Sequence, residues 1–170
     1  MKHIQRSALL PYAQTELFAM VADVERYPEF LPQLETVELL PASARFPDAA
    51  LVEARVQLKV AGIRESFITR NHMHPPGRID LELIEGPFDV FAGFWEFTAL
   101  GQASADANAS ADASADASAI VGSKVALDLR FELTRSNPIV RRTYGALIER
   151  ATAKLVEAFC QRATVVCTPP

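Results

Sequence analysis

Apolar residues near the C-terminus recur at intervals of three and four, the spacing of one face of an α-helix. The pattern covers residues 138–166, with Asn137 suited to the N-cap and two prolines after the end. Its apolar face includes Leu147, Ala151, Leu155 and Phe159. With a rise of about 1.5 Å per residue this helix is about 43 Å long, so we expect it to lie across a whole sheet.

Most of the remaining chain alternates between apolar and polar residues, which predicts β-strands with one buried face. The alternation is clearest where charged or polar residues separate Val52, Ala54 and Val56. We predict a first strand at 3–10, a short helix at 15–23, and further strands at 34–40, 50–60, 63–73, 78–85, 91–99 and 124–134. Short turns between consecutive strands favour an antiparallel meander. The predicted fold class is α+β, a curved antiparallel sheet wrapped around the long C-terminal helix.

Residues 102–119 form a low-complexity insertion between the last two predicted strands. Alanine alternates there with Ser, Asp or Asn, and no side chain is large enough to anchor the segment in a core. We therefore predict a mobile loop inside a single domain that spans residues 1–170. An acidic tether for a basic partner is the less favoured alternative, because only three charges support it.

Composition and charge exclude few functions. Hydrophobic residues make up 49% of the 170 residues, enough for one substantial core, and a net charge of −4 gives no general attraction for nucleic acid. We expect no DNA partner. No N-terminal run resembles a signal peptide and no stretch is long enough to cross a bilayer, so we expect a cytoplasmic protein. Cys160 and Cys167 would stand about 10 Å apart along the helix, too far for a disulfide.

Small residues at inward-facing positions predict an internal cavity. Ala54, Gly93, Ala151 and Ala158 would leave space beside large apolar side chains. A dry void costs about 24 cal/mol per Å³, so an empty pocket of about 300 Å³ would forfeit several kcal/mol, which favours a bound ligand. The alternative is that the small residues only let the helix pack closer to the sheet. The predicted ligand-binding residues are Tyr27, Phe30, Leu31, Phe67, Trp95, Phe97, Leu127, Phe131, Leu147, Ala151, Leu155 and Phe159.

Tyr27, Phe30 and Leu31 stand close together between two prolines, which restrict the backbone of this segment. Three large apolar side chains so close together either plug one end of the cavity or form a partly exposed patch that touches a membrane or a partner. We favour the plug.

The sequence shows no strong catalytic or metal-binding constellation, and we predict neither a catalytic residue nor a metal ion. His72 and His74 share one strand face, but no third ligand lies near them in sequence. Two carboxylate pairs alternate with inward apolar residues and should stand in water: Asp80 with Glu82, and Asp128 with Glu132.

Four segments that precede the long helix carry a resemblance to a known family. They are residues 21–32 (VADVERYPEFLP), 64–67 (RESF), 80–88 (DLELIEGPF) and 93–97 (GFWEF). The chain resembles the bacterial coenzyme Q-binding START-domain family, which is polyketide cyclase/dehydrase-like and includes the proteins called ribosome-association toxins. The resemblance spans nearly the whole chain except the insertion, although Gln33 stands where the family often has an aromatic residue.

The resemblance implies a helix-grip (START/Bet v 1-like) fold whose hydrophobic cavity binds ubiquinone or a related lipid in support of respiration. It implies no catalysis and no cofactor apart from ubiquinone as the bound ligand. Transient membrane contact would place the protein at the periphery of the inner membrane.

Two alternatives stay open. One is a regulator that binds the large ribosomal subunit through the outer face of the long helix, where basic residues outnumber acidic ones. These basic residues are Arg141, Arg142, Arg150, Lys154 and Arg162. The other alternative is a cyclase-like enzyme with Arg64, Glu65 or Glu96 at the mouth of the pocket.

Overall fold

A computed structural model describes residues 1–41, 43–60, 62–101, 122–132, 146, 150 and 154–168. The elements are β1 (Lys2–Leu10), α1 (Gln14–Ala22), a 3-10 helix (Val24–Glu29), β2 (Leu34–Leu39), β3 (Leu51–Val60), β4 (Ile63–His74), β5 (Arg78–Glu85), β6 (Val90–Leu100), β7 (Gly122–Glu132) and α2 (Leu155–Val166). The predicted α+β class is confirmed, and the described strands agree with the predicted ones to within about two residues.

The strands form one curved antiparallel sheet in the order β1-β7-β6-β5-β4-β3-β2. Strands β2 to β7 follow the predicted meander, in which each strand pairs with the next one along the chain. The exception is β1, which pairs with β7, so that Ile4 lies opposite Leu129. The first strand of the chain thus pairs with the last one, and it forms one edge of the sheet.

Helix α2 ends at Val166, as the sequence predicts, and the N–H of Cys167 donates to the Ala163 carbonyl at 2.9 Å. The N-terminal part of the predicted helix, with Leu147 and Ala151, lies outside the described residues, and so does the insertion at 102–119. No helix of the described ranges is both long and apolar enough to cross a membrane.

The concave face of the sheet, α1 and α2 enclose the main hydrophobic core. Helix α1 buries Leu17 and Phe18, and α2 buries Phe159 and Ala163, all four at most 2% exposed. A second apolar cluster lies at the other end of the sheet and consists of Ile4, Leu58, Phe67, Phe88 and Phe131. Residues from both clusters surround the cavity described below.

Gly93 plays a different part from the one predicted. A Cβ at this position would stand 2.9 Å from the Leu129 Cα and still closer to the Asp128 carbonyl oxygen. Glycine is therefore required because the β7 backbone passes so near to β6. The missing side chain permits close strand packing and does not enlarge the cavity.

Asp128 does not stand in water as predicted, because side chains of the neighbouring strand β1 contact it. The residue is 8% exposed, Gln5 donates to its Oδ2 at 2.7 Å, and the His3 Nε2 lies 2.8 Å from the same oxygen. Burial opposes ionisation of this carboxyl, but the hydrogen bonds from Gln5 and His3 outweigh that effect and lower its pKa. The prediction failed because it did not include the pairing of β1 with β7.

Candidate functional site: an apolar cavity in the sheet

An apolar cavity of about 160 Å³ lies between the concave face of the sheet, the 3-10 helix and α2. The 3-10 helix and the residues after it contribute Val24, Tyr27, Leu31 and Gln33, and α2 contributes Leu155 and Phe159. The turn between β5 and β6 contributes Phe88. The strands contribute Leu34, Val37, Val56, Leu58, Phe67, Thr69, Asn71, Leu81, Phe91, Trp95, Leu127 and Leu129. The wall is hydrocarbon almost throughout, as in pockets that hold apolar ligands.

Most of the residues predicted from the sequence stand on this wall. They are Tyr27, Leu31, Phe67, Trp95, Leu127, Leu155 and Phe159. They come from the 3-10 helix and the residues after it, from three strands and from α2, so a local sequence pattern alone could not have brought them together. Leu147 and Ala151 lie outside the described residues.

The structure places Phe30, Phe97 and Phe131 away from the cavity wall. Phe97 packs edge-on against Phe18 of α1 at a centroid distance of 5.5 Å, because it lies farther along β6 than the cavity reaches. Phe131 is 1% exposed and belongs to the second apolar cluster. Phe30 packs behind the wall, with its ring 5.0 Å from that of Phe159.

The segment around Tyr27 closes one side of the cavity, as the favoured plug reading predicts. The Tyr27 hydroxyl donates to the Val21 carbonyl at 2.5 Å, and its ring meets the Phe159 ring edge-on at 5.0 Å. Burial, with a smaller contribution from Asp23, raises the pKa of Tyr27 far above its usual range. Leu31 is 1% exposed and packs inward, whereas Tyr27 and Phe30 are half-buried, so Leu31 and the Tyr27 ring act as the plug while Phe30 keeps a partly exposed side.

Ionic contacts bind the 3-10 helix to α2 on the outside of this plug. Glu29 accepts hydrogen bonds from Arg26 at 2.8 Å and from Arg162 at 2.6 Å. The hydrogen bond from Arg26 is the main cause of the lowered pKa of Glu29. Arg162 was predicted to lie on a free basic face, but its side chain pairs with Glu29 and lies near the Phe30 ring.

Comparison with known proteins places this architecture in a family. Residues 10–160 match the profile of a family described as polyketide cyclase / dehydrase and lipid transport. The chain belongs to this family. The match covers most of the chain, so the resemblance found from the sequence segments is confirmed.

Relatives of the family are similar to this chain over nearly its full length. The chain is 37% identical to the ribosome association toxin RatA of Pseudomonas aeruginosa, over 95% of this chain and 94% of that protein. It is 30% identical to the persistence and stress-resistance toxin PasT of Escherichia coli O6:H1, over 98% of this chain and 89% of the relative.

Two solved structures have the same fold as this chain. The 18 kDa protein CC1736 from Caulobacter crescentus is 25% identical and superposes with a TM-score of 0.65, with 96% of each chain covered. The Zhui aromatase/cyclase from Streptomyces sp. R1128 is 18% identical with a TM-score of 0.70, over 96% of this chain and 93% of that one. These neighbours confirm the helix-grip fold.

In this family member, sequence reasoning missed the polar part of the cavity wall. Gln33, Thr69 and Asn71 line the cavity, and the last two are 8% and 4% exposed. The sequence could have indicated them, because Thr69 and Asn71 are polar residues at inward positions of β4, where the alternation of the strand predicts apolar ones. Asn71 Oδ1 accepts no hydrogen bond from any described residue.

The histidines lie on the convex side of the sheet and outside the cavity. His74 Nε2 is 3.1 Å from Asp80 and His72 Nε2 is 3.5 Å from Glu82, in each case across the β4–β5 pair. Within the described ranges, no group of three His, Cys, Asp or Glu side chains is arranged to hold a metal ion.

Proposed function

We propose that this protein binds a hydrophobic molecule, ubiquinone or a similar lipid, in the cavity without changing it chemically, and thereby supports respiratory electron transport. The observation that carries the proposal is the cavity itself, with its nearly complete hydrocarbon wall. A dry apolar cavity of about 150 Å³ is known to accept a benzene ring. A cavity of about 160 Å³ therefore has room for the ring of such a ligand.

The proposal of a non-catalytic role rests on the chemistry of the wall. Among the described wall residues, Tyr27 is the only one with an ionisable side chain. Its hydroxyl donates to the Val21 carbonyl, and its raised pKa keeps it neutral at physiological pH. General acid–base catalysis needs a group whose pKa lies near the working pH. Tyr27 does not meet this condition, which favours binding over a cyclase-like reaction.

The direct test is organic extraction and mass spectrometry of protein purified from a quinone-producing host. We expect a quinone or related lipid in the extract of the wild type. In the variant Val56→Phe, a larger side chain on the cavity wall should reduce the extracted lipid severalfold. Val165→Phe is the matched control, since Val165 lies on the exposed side of α2 and is 75% exposed.

Two results would overturn the proposal. One is a folded wild type that carries no lipid and takes up none when it is offered ubiquinone or its reduced form, ubiquinol, in vitro. The other is a folded Val56→Phe variant that carries as much lipid as the Val165→Phe control.

A second candidate function is association with the large ribosomal subunit. The observation that favours it is the similarity, at up to 37% identity over nearly the whole chain, to proteins named ribosome association toxin RatA. Arg150 and Lys154 are exposed and would contribute to such a surface. Contacts between basic side chains and phosphates weaken steeply as salt rises, so the association should have the same dependence.

Sedimentation through sucrose gradients with purified ribosomal subunits tests this second candidate. We expect the double variant Arg150→Glu, Lys154→Glu to co-sediment less than the wild type at low salt and to retain its bound lipid. Lys124→Glu is the control, because Lys124 is exposed and lies on the convex face of β7, whereas α2 packs against the concave face. Wild-type protein that stays at the top of the gradient at low salt would exclude this candidate.

A further inference from the structure

Asn71 is a buried polar residue whose side-chain oxygen has no partner. It is 4% exposed, and no described residue donates a hydrogen bond to its Oδ1. Two other buried polar residues among those described are satisfied: the Ser123 hydroxyl donates to the Tyr12 carbonyl at 2.9 Å, and Asp128 accepts from Gln5. Buried acceptors without a donor destabilise a fold, so this exception calls for a physical explanation.

The position of Asn71 in β4 directs its side chain to the cavity. Its neighbours Arg70 and His72 lie on the convex face, where they approach the carboxylates of Glu53 and Glu82. Successive side chains of a strand point to opposite faces, so Asn71 shares the concave face with Thr69. Both residues are part of the cavity wall.

The surroundings of Asn71 leave the cavity as the remaining source of a donor. Its strand neighbours are Val52 of β3 and Leu81 of β5, whose side chains have no hydrogen-bonding group. Thr36 is the other described residue with an unpartnered buried oxygen, but it does not line the cavity. A molecule in the cavity is thus able to reach the oxygen of Asn71 and not that of Thr36.

We propose that Asn71 recognises a hydroxyl group on the ligand. The inference rests on the proposed function, because it assumes that a ligand occupies the cavity. A ring-shaped ligand that bears a hydroxyl, of the phenol or quinol class, donates to Asn71 Oδ1 and removes the penalty of the unpaired acceptor. A hydrocarbon ring of the same shape leaves that penalty in place. A ring that bears only acceptors places their lone pairs against Asn71 Oδ1, so of the two redox forms of a quinone lipid Asn71 favours the reduced quinol.

The test compares probes of nearly equal shape on the lipid-free full-length protein, by isothermal titration calorimetry. Phenol carries a hydroxyl where toluene carries a methyl group, and benzonitrile carries only an acceptor. The measured quantity is the affinity for phenol divided by the affinity for toluene. A change in cavity size affects both affinities alike, so it cancels in this ratio. We expect this ratio to fall about fivefold in Asn71→Leu, as for the loss of one hydrogen bond between neutral groups.

Thr36→Val is the matched control, since it also removes an unpartnered oxygen without altering the cavity wall. It should leave the phenol-to-toluene ratio at the wild-type value. If toluene and phenol both bind but Asn71→Leu leaves the ratio unchanged, the cavity stands and the inference fails. If Asn71→Leu weakens benzonitrile as much as phenol, recognition of a hydroxyl donor is refuted. If no probe binds a wild type that does take up quinone lipid, this inference alone fails; if neither probe nor lipid binds, the proposed function fails with it.

Discussion

Replacing Gly93 by Ala tests the close approach of β6 and β7, which supports one wall of the cavity. A Cβ at this position would stand 2.9 Å from the Leu129 Cα and 3.1 Å from the Asp128 carbonyl carbon, with the carbonyl oxygen closer still. Ordinary contacts of a Cβ lie at 3.4–4 Å. The atoms that must move belong to the backbone, so no rotation of a side chain can relieve the clash.

The loss of stability follows from the separation of β6 and β7 that the added Cβ would force. Moving β7 away from β6 stretches the ladder that pairs Gly93 with Leu129, and each weakened backbone hydrogen bond costs about 1 kcal/mol. Overpacking adds about 1–3 kcal/mol. With one or two bonds weakened, we therefore expect Gly93→Ala to lower the free energy of unfolding by about 2–5 kcal/mol, a large part of a typical stability of about 5–15 kcal/mol.

Urea denaturation followed by circular dichroism measures this free energy. The matched control is Gly77→Ala, because the nearest atom to a Cβ at Gly77 is the Gln14 Nε2 at 4.0 Å. That substitution should change stability by less than about 1 kcal/mol in either direction. A Gly93→Ala protein as stable as Gly77→Ala would show that β6 and β7 are not so closely packed, and the account of Gly93 would be wrong.

Three further predictions concern buried groups. The pKa of Asp128 is lowered in the folded state, so its stabilising effect is present above the unfolded pKa of about 3.9 and is lost as pH falls through the folded pKa. Asp128→Asn should therefore lower the urea midpoint at pH 7 and lower it much less at pH 3. Burial, with a smaller contribution from Glu16, raises the pKa of the Cys167 thiol to about 11. Iodoacetamide at pH 8 should therefore react with Cys167 roughly tenfold more slowly than it reacts with the thiol of glutathione, and an equal rate would contradict this prediction. Asn71→Leu should raise the unfolding free energy of the lipid-free protein by about 1 kcal/mol in urea denaturation, and a loss of stability would show that the Asn71 oxygen already has a partner.

Local patterns predicted the elements of the fold because each strand with one buried face carries its own period-two signal. Val52, Ala54 and Leu58 are all buried, as that signal requires. The pairing of β1 with β7 joins segments more than 100 residues apart, and the residue pattern of neither segment indicates which strand it pairs with. For this reason the burial of Asp128 beside β1 was missed, although its position in β7 was predicted.

The cavity was predictable in part for a related reason. Inward residues of the strands and of α2 could be identified by period, which brought Trp95, Leu127 and Phe159 to the correct wall. How far the wall extends along each strand depends on the curvature of the sheet and on where α1 packs. Phe97 and Phe131 share the concave face but lie beyond that extent, and only the three-dimensional packing distinguishes them.

The two candidate functions use different sides of the same helix. Leu155 and Phe159 of α2 face the cavity, whereas Lys154 and Glu157 are exposed on its other side. Residues on these two sides of α2 contact no common residue among the described contacts. Substitutions on one side should therefore change lipid content and substitutions on the other side should change ribosome association, each without the other effect, unless α2 moves as a rigid body when the cavity fills. The hydrogen bond between Arg162 and Glu29 opposes such a movement, because it ties α2 to the 3-10 helix. A ligand that displaced Phe159 would therefore have to act against that contact before it could alter the outer face, and this is the physical reason to treat the cavity and the basic surface as separable sites.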